Sequence, residues 1–259
     1  MKTTHQKTAV SSTERFSNRV ENYIRYRPGY PPEVLSFLTG ELHLKPSWMI
    51  ADVGSGTGIL SEIFLRNGNI VFGVEPNNEM RIAAEKLLRR YSNFKSINGT
   101  AEATTLPLHS VDLVMAGQAF HWFDQEKTKK EFRRIGKPGG SSVLVWNTRR
   151  TDTSPFLKAY EELLLRYSSD YEQIDHRHVN ETVLSNFFTT HVRKVFFNSQ
   201  RFDFEGLKGR LLSSSYVPLN DDERFEPMIA ELRNIFDRTQ QNGTITFEYD
   251  TEVYMGALE

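Results

Sequence analysis

The stretch of sequence that decides the fold is Trp48-Met49-Ile50-Ala51-Asp52-Val53-Gly54-Ser55-Gly56-Thr57-Gly58. An apolar run ends at an acid and continues into three glycines at alternate positions, and apolar residues at helical spacing follow from Ile59. This pattern predicts a strand, a tight loop and a helix. Glycines allow positive φ and let a ligand approach the main chain, while the first N–H groups of the helix point into the loop. The loop therefore predicts a site for a polar cofactor.

The composition excludes several classes of protein. The 259 residues suit one large domain, or one domain with a small appendage. The formal net charge of -1 gives no general attraction to nucleic acid or anionic membranes, and no stretch approaches the roughly 20 apolar residues of a membrane span. The lack of cysteine excludes disulfides, thiolate metal sites and cysteine nucleophiles. We expect a soluble, cytoplasmic monomer or homodimer that acts on a small molecule, without nucleic-acid or membrane partners.

The order of the predicted elements indicates the architecture. Residues 1–12 are predicted to be a disordered tail, and two helices within 13–40 follow, separated by the proline-rich break at 28–32. From Trp48 to Trp146 strands and helices alternate, which predicts a doubly wound parallel sheet. We expect a single domain over 13–259, with lid helices at 13–40 and a substrate cap inserted at about 150–241.

The spacing of the glycine loop favours a nucleoside without a pyrophosphate. It is G-x-G-x-G rather than the G-x-G-x-x-G of dinucleotide enzymes, and no glycine-lysine-serine/threonine ending suggests a P-loop. Glu75 and Pro76 end the second predicted strand, where a carboxylate can accept hydrogen bonds from both ribose hydroxyls. Met80 follows one helical turn later and is suited either to a purine face or to the core.

Two further strand ends carry candidate site residues. The third strand ends at Thr100-Ala101-Glu102, which can present hydrogen-bonding groups to an adenine edge. The fourth is followed by Gln118-Ala119-Phe120-His121-Trp122-Phe123, whose aromatic residues cannot all be buried in the sheet, so some of them line a pocket. His121 is the candidate general base, and a packed, non-catalytic histidine is the open alternative.

Together these segments resemble the class I S-adenosylmethionine-dependent methyltransferases. The segments 52–58, 73–76, 99–102 and 111–114 have the order and spacing of that family. Arg25-Tyr26-Arg27-Pro28 and the segment 118–123 are similar to its small-molecule branch, the methyltransferase type 11 enzymes that include trans-aconitate methyltransferase and the ubiquinone/menaquinone-type enzymes. The resemblance covers about residues 16–150 in motifs and the remainder mainly in layout.

The resemblance implies an α/β, Rossmann-like, doubly wound seven-stranded sheet in the order 3-2-1-4-5-7-6, with the last strand antiparallel and a helical lid. It also implies an enzyme that transfers a methyl group from S-adenosylmethionine to a small organic acceptor. The residues predicted to bind this cofactor are Asp52, Gly54, Ser55, Gly56, Glu75, Pro76, Met80, Thr100, Ala101, Glu102, Gln118 and Ala119. Thr100 departs from the family pattern, because many relatives have Asp there.

The acceptor is less constrained by the sequence. Methyl transfer is an in-line displacement, and a base is needed only where the nucleophile must lose a proton. An arginine in the pocket would suit a carboxylate, and we expect one or two inward-facing side chains among Arg25, Arg27, Arg149, Arg150 and Arg210. The predicted substrate pocket consists of Tyr26, Phe120, Trp122, Arg149 and Tyr216. His176-x-His178 lacks further ligands at suitable spacing, so no metal site is predicted.

Two other functions stay open at this level. One is an S-adenosylmethionine-binding sensor or partner subunit without turnover, because an intact glycine loop indicates binding rather than catalysis. The other is an NAD-dependent oxidoreductase, which the G-x-G-x-G spacing and the lack of a paired catalytic Lys/Tyr motif disfavour. Nucleic-acid methylation is disfavoured by the neutral charge and by the lack of an Asn/Asp-Pro-Pro-Tyr/Phe motif.

Overall fold

The computed structural model describes residues 19–171 and 179–257, so the predicted tail and His176-x-His178 lie outside the described residues. The strands are β1 (Met49–Val53), β2 (Ile70–Val74), β3 (Phe94–Ile97), β4 (Val111–Gly117), β5 (Gly136–Arg149), β6 (His191–Phe202) and β7 (Ile245–Ala257). They form one seven-stranded sheet in the order β3-β2-β1-β4-β5-β7-β6, in which β7 runs antiparallel to both of its neighbours. This confirms the predicted fold class and strand order.

The helices follow the predicted alternation with different ends, except for α7, which was not predicted from the sequence. They are α1 (Val20–Tyr26), α2 (Glu33–Leu42), α3 (Ile59–Arg66), α4 (Asn78–Leu88), α5 (Gln125–Ile135), α6 (Pro155–Tyr167), α7 (Glu181–Phe187), α8 (Phe204–Leu212) and α9 (Phe225–Thr239). Gly40 lies inside α2, which ends before His43 in a left-handed conformation. No helix in the described part of the chain is both long and apolar enough to cross a bilayer.

Two apolar cores cover the faces of the sheet because neighbouring strand residues point to opposite sides. Ile50 of β1 packs in the core with α2 and α3, whereas Ala51 belongs to the core formed with α5 and α7. A third core joins α6, α8 and α9 to the first half of β7, where Phe247 is fully buried. Since the second half of β7 carries Val253 into the α2–α3 core, this strand connects the cap helices to the sheet.

The parallel strands bring the candidate residues to one edge. In β1, β2 and β4 the chain direction is the same, so their carboxyl ends lie together. Asp52 is the penultimate residue of β1, Glu75 follows β2, and Gln118 follows β4. The sequence-based expectation that these residues meet is therefore supported by the register of the sheet.

Helix α1 is fastened to α8 and to the loop after it. Arg19 donates from Nη1 to the carbonyl of Leu212 at 3.0 Å and from Nη2 to that of Val217 at 2.7 Å. The Tyr26 ring lies directly on Gly209 of α8, where an added Cβ would come within 2.0 Å of the ring. Helices α1 and α8 therefore pack as one layer.

Gly209→Ala is expected to lower the free energy of unfolding by about 1–3 kcal/mol, because the methyl group overlaps the Tyr26 ring. Gly40→Ala is the matched control, since it also lies within a helix but has no atom within 4 Å of the added Cβ. The control should gain about 0.5–1 kcal/mol from helix propensity. Urea unfolding measures the change in the free energy of unfolding for both variants. Equal changes would contradict the contact between α1 and α8.

Candidate active site

The glycine loop holds the end of β1 close to the end of β4. Gly54 has φ of 69°, and its N–H donates to the carbonyl of Val74 at 2.8 Å. A Cβ on Gly54 would lie 2.6 Å from the Cβ of Ala119 and 3.1 Å from the Phe123 ring. Only glycine permits both the left-handed backbone and this approach. The loop therefore opens against the segment that follows β4.

Glu75 is locked in place at the next strand end. One carboxylate oxygen accepts from the Asn77 N–H at 2.9 Å, and the other accepts from the Gly56 N–H at 2.9 Å. Burial raises the pKa of Glu75, although these two backbone hydrogen bonds oppose the shift. The carboxylate ties the glycine loop to the start of α4 and keeps lone pairs for a ligand.

Two adjoining cavities extend from the loop. The Glu75 cavity, of about 210 Å³, is lined by Tyr23, Gly54, Gly56, Glu75, Pro76, Asn77, Met80, Thr100, Ala101, Glu102, Gly117, Gln118, Ala119, Trp122 and Phe123. The arginine cavity, of about 150 Å³, is lined by Tyr23, Arg27, Pro28, Tyr30, Asp52, Gly54, Ser55, Ile59, Leu60, Gly117, Gln118, His121, Trp122, Asn147, Thr148, Arg149, Tyr171, Arg210, Ser215 and Tyr216. Because both contain Tyr23, Gly54 and Trp122, one elongated ligand can extend through them.

All twelve predicted cofactor residues line one of these cavities. Asp52 and Ser55 line only the arginine cavity, whereas Gly54 and Gln118 line both. The candidate base His121 and three predicted substrate-pocket residues, Trp122, Arg149 and Tyr216, line the arginine cavity.

The structure corrects the placement of Tyr26 and Phe120. Neither residue lines either of these cavities. Tyr26 packs on Gly209 and meets Phe202 edge-on at 6.1 Å between ring centroids. Phe120 is fully buried, and its ring centroid lies 4.6 Å from that of Phe187. Each aromatic is turned away from the cavity by a packing partner that is distant in sequence.

Asp52 is a buried acid with an unused oxygen. Its Oδ2 accepts from Ser61 Oγ at 2.6 Å, while Oδ1 has no hydrogen-bond partner among the described residues. Burial raises the pKa of Asp52 to about 7, and the carboxylate of Glu75 adds to the shift. The side chain lines the arginine cavity, so a cationic group bound there would compensate the buried charge.

Among the described residues, three guanidinium groups line the arginine cavity, whereas the sequence predicted one or two. Arg27 donates to the Ser213 carbonyl at 2.9 Å, and its buried Nε has no partner among the described residues. Arg210 is 6% exposed and donates to neutral oxygens. Arg149 pairs with Glu161. The cavity thus carries more positive than negative charge.

The other two candidate arginines point elsewhere. Arg25 is exposed on α1. Arg150 pairs with Asp250 at 2.7 Å and lies over the exposed Phe197 ring. Neither lines the arginine cavity.

The fourth-strand segment has a strained backbone. Gln118 adopts φ of 58°, which is uncommon for a residue with a side chain. Its N–H donates to the Val145 carbonyl at 2.9 Å, which anchors the turn to β5. His121 and Trp122 lie in the short 3-10 helix that follows, with ring centroids 4.9 Å apart. The turn directs both rings into the arginine cavity.

Asn147 and Tyr171 are cavity residues that the sequence analysis missed. Asn147 donates to the Gly29 carbonyl at 3.1 Å and accepts from Thr251 at 2.6 Å, so it fastens the proline-rich break to β5 and β7. Tyr171 hydrogen-bonds both Glu161 and Arg149. The position of Asn147 at the end of β5 was a usable signal, but nothing local to Tyr171 indicated its role.

Comparisons with known proteins agree with this geometry. Residues 51–144 match the family described as "Methyltransferase domain". Two uncharacterised methyltransferases of Schizosaccharomyces pombe are similar over nearly their whole length. One is 27% identical over 92% of this chain and 95% of its own, and the other 29% identical over 94% and 95%.

Solved structures share the fold. A protein of Anaeromyxobacter dehalogenans, provisionally described as a type II methyltransferase, has a TM-score of 0.66 at 20% identity and covers 90% of this chain and 98% of its own. The YcgJ protein of Bacillus subtilis has a TM-score of 0.56 at 21% identity, with 87% and 97% covered. At these identities the similarity shows the fold alone.

The matching domain, the methyltransferase-named relatives and the fold support a class I S-adenosylmethionine-dependent methyltransferase. The class implies the use of S-adenosylmethionine, and the chemistry of the site fits that molecule. The unused Asp52 oxygen suits its α-ammonium group, and Glu75 suits its ribose. No group of three potential metal ligands occurs in residues 19–171 and 179–257.

Asp52→Asn is expected to stabilise the unliganded protein at pH 8 but not at pH 4. With a folded-state pKa of about 7 against an ordinary value of 3.8, ionisation of Asp52 is penalised only in the folded protein. The penalty is absent below the ordinary pKa, grows as the pH rises towards 7 and is constant above it. Thermal unfolding of both proteins from pH 4 to 8 measures the difference. If the difference in melting temperature between the two proteins stays constant from pH 4 to 8, ionisation of Asp52 does not destabilise the folded protein.

Proposed function

We propose that the protein transfers a methyl group from S-adenosylmethionine to a carboxylate oxygen of a small organic acid, giving a methyl ester. The observation that carries this proposal is the arginine cavity, in which Arg27, Arg149 and Arg210 line one space beside the glycine loop. Arginine binds carboxylates through paired charge-assisted hydrogen bonds. An anionic acceptor is therefore the class of molecule that this cavity favours.

The Glu75 cavity is the proposed site for the adenosine half of the cofactor. The fixed carboxylate of Glu75 is suited to accept from the two ribose hydroxyls. Thr100, Ala101 and Glu102 lie where an adenine edge would find hydrogen-bonding groups, and the buried Met80 offers an apolar wall. Glu102 itself accepts from the Asp124 N–H at 2.9 Å, which fixes its direction.

Asp52 and the turn after β4 are the proposed partners of the methionine half. The free Oδ1 of Asp52 would hold the α-ammonium group. Gln118 and Ala119 lie beside Gly54, at the junction of the two cavities. When bound, S-adenosylmethionine supplies the methyl group and retains the electron pair of the broken carbon–sulfur bond as a neutral thioether. The chain's contribution is alignment and the exclusion of water.

An ionised carboxylate acceptor removes the need for a base. Its oxygen attacks the methyl carbon without losing a proton, so His121 has no proton to accept. Trp122 and Tyr216 line the arginine cavity beside the guanidinium groups and can exclude water from the acceptor. The role of His121 as a general base stays a prediction from sequence, and ester formation does not require it.

Glu75→Gln is expected to weaken the binding of S-adenosylhomocysteine about 10- to 100-fold, because charge-assisted hydrogen bonds to the ribose are worth about 1.5–3 kcal/mol. Isothermal titration calorimetry measures the dissociation constant. Glu85→Gln on the exposed face of α4 is the matched control and should bind as the wild type does. Wild-type affinity in Glu75→Gln, with an unchanged melting temperature, would reject the ribose assignment.

Wild-type protein and His121→Asn are both expected to form methyl esters when given a panel of small carboxylic acids and methyl-labelled S-adenosylmethionine. Mass spectrometry detects the label, and the corresponding amides serve as unreactive controls. Turnover by His121→Asn within about threefold of the wild type is expected, since removing a functional general base costs about 100-fold or more. Loss of turnover with intact cofactor binding would instead establish the acid–base role.

A further inference from the structure

The three guanidinium groups that line the arginine cavity differ in whether a carboxylate of the chain neutralises their charge. Arg149 pairs with Glu161, and both side chains are largely buried, at 10% and 16% exposure. Arg149 also donates from its Nη2 to the Tyr171 hydroxyl at 3.0 Å, and its guanidinium lies over the Tyr160 ring. This guanidinium is compensated within the chain, so it adds little net charge for a ligand.

Arg27 and Arg210 have no such compensation. Neither forms an ion pair with a carboxylate in residues 19–171 and 179–257. Arg27 donates to the Ser213 carbonyl, and Arg210 donates to the hydroxyls of Ser213, Ser214 and Tyr249 at 3.3–3.4 Å. Burial, followed by the charge of Arg210, lowers the pKa of Arg27. The buried Arg210 and the half-buried Arg27 therefore lie close together beside Ser213, without an anionic partner among the described residues.

Arg27 lies on the side of the glycine loop. Its guanidinium is 5.1 Å from the centre of the Tyr23 ring. Tyr23 lines both cavities, and its hydroxyl lies 4.0 Å from the position of a Cβ on Gly56. A cofactor whose ammonium group sits on Asp52 carries its carboxylate on the same carbon atom. Arg27 is therefore suited to bind that carboxylate.

Arg210 lies on the wall of the cavity that α8 and β7 form. It projects from α8, its Nε donates to the Tyr249 hydroxyl at 3.3 Å, and its guanidinium lies 5.7 Å from the centre of the Phe247 ring. Tyr249 and Phe247 both belong to the core that α6, α8 and α9 form with β7, and not to the region of the glycine loop. Tyr216 follows in the same segment and lines the cavity with it.

We propose that Arg210 binds the carboxylate of the acceptor while Arg27 binds the carboxylate of the cofactor, so that the site selects acids with a single carboxylate. The inference rests on the proposed function and deepens it. Glu161 neutralises Arg149, and the carboxylate of the cofactor would neutralise Arg27. Arg210 is then the one guanidinium of the three that can bind a carboxylate of the acceptor. The acceptor oxygen attacks the methyl carbon, the carbon–sulfur bond breaks, and no proton is transferred. The neutral ester then loses its attraction to Arg210, which favours release of the product.

The first half of the test assigns Arg27. Calorimetry compares S-adenosylhomocysteine with its analogue that lacks only the carboxylate, S-adenosyl-3-thiopropylamine. Arg27→Gln should weaken the binding of S-adenosylhomocysteine about tenfold or more and leave that of the analogue unchanged, since the lost charge-assisted bond has no counterpart there. Arg210→Gln should bind both as the wild type does. Arg150→Gln, which alters a half-buried guanidinium that lines neither cavity, is the matched control.

The second half assigns Arg210 in protein saturated with S-adenosylhomocysteine. The probes are benzoate, phenylacetate and cinnamate, their amides, and phthalate as a dicarboxylate. The wild type and Arg27→Gln should prefer at least one acid over its amide about tenfold, Arg210→Gln should lose this preference, and Arg210→Lys should keep part of it because the charge remains. Phthalate should bind no more tightly than benzoate.

The outcomes separate the two proposals. Failure of the wild type to bind S-adenosylhomocysteine would overturn the proposed function. Binding of S-adenosylhomocysteine without an acid preference for any probe would overturn only the assignment of Arg210. The same holds if Arg27→Gln loses the acid preference while Arg210→Gln retains it, or if phthalate binds more tightly than benzoate. Arg210→Lys keeps the test valid if Arg210→Gln does not fold.

Discussion

The approach of Gly54 to Ala119 is the contact on which the site depends. A side chain on Gly54 would meet the Ala119 Cβ at 2.6 Å, so the end of β1 and the turn after β4 can touch only because this position has none. The two cavities meet at this contact. The contact also fixes the distance between the Glu75 side of the site and the arginine side. A ligand that fills both cavities must therefore lie against the backbone of Gly54, which carries no side chain.

Uncompensated buried charge is the second constraint. Asp52 and Arg210 are buried and Arg27 is half-buried, and none of them has an ionic partner in the described residues. Isolated charge in a protein interior opposes folding. The fold tolerates them because other contacts hold the layer that carries them. Arg19 fastens α1 to the loop after α8. Strand β7 belongs both to the core of α6, α8 and α9 and to the core of α2 and α3. Ligands of complementary charge are then expected to stabilise the protein.

The cofactor side was predictable from sequence because its residues follow strands directly. Asp52, Glu75 and Gln118 lie next to apolar runs, and the alternation of strands and helices predicts that such ends meet at one edge of a parallel sheet. Local sequence was therefore sufficient to predict that most of the candidate cofactor residues lie together.

The acceptor side depends on packing between distant segments, so the sequence predicted it less well. Tyr26 and Tyr23 are both on α1, and the choice between them is made by Gly209, more than 180 residues away. Phe120 and Trp122 differ because Phe187 of α7, a helix that the sequence analysis did not predict, receives only Phe120. The inward direction of Arg210 likewise depends on Tyr249 of β7. No periodicity within one segment contains this information.

A crystal structure of the protein with S-adenosylhomocysteine tests the central claim most directly, because it locates every part of the ligand at once. The expected result places the ribose hydroxyls on Glu75, the α-ammonium group on the free oxygen of Asp52 and the thioether at the junction beside Gly54. A ribose bound away from Glu75, or a ligand bound outside the two cavities, would contradict the assignment of this site.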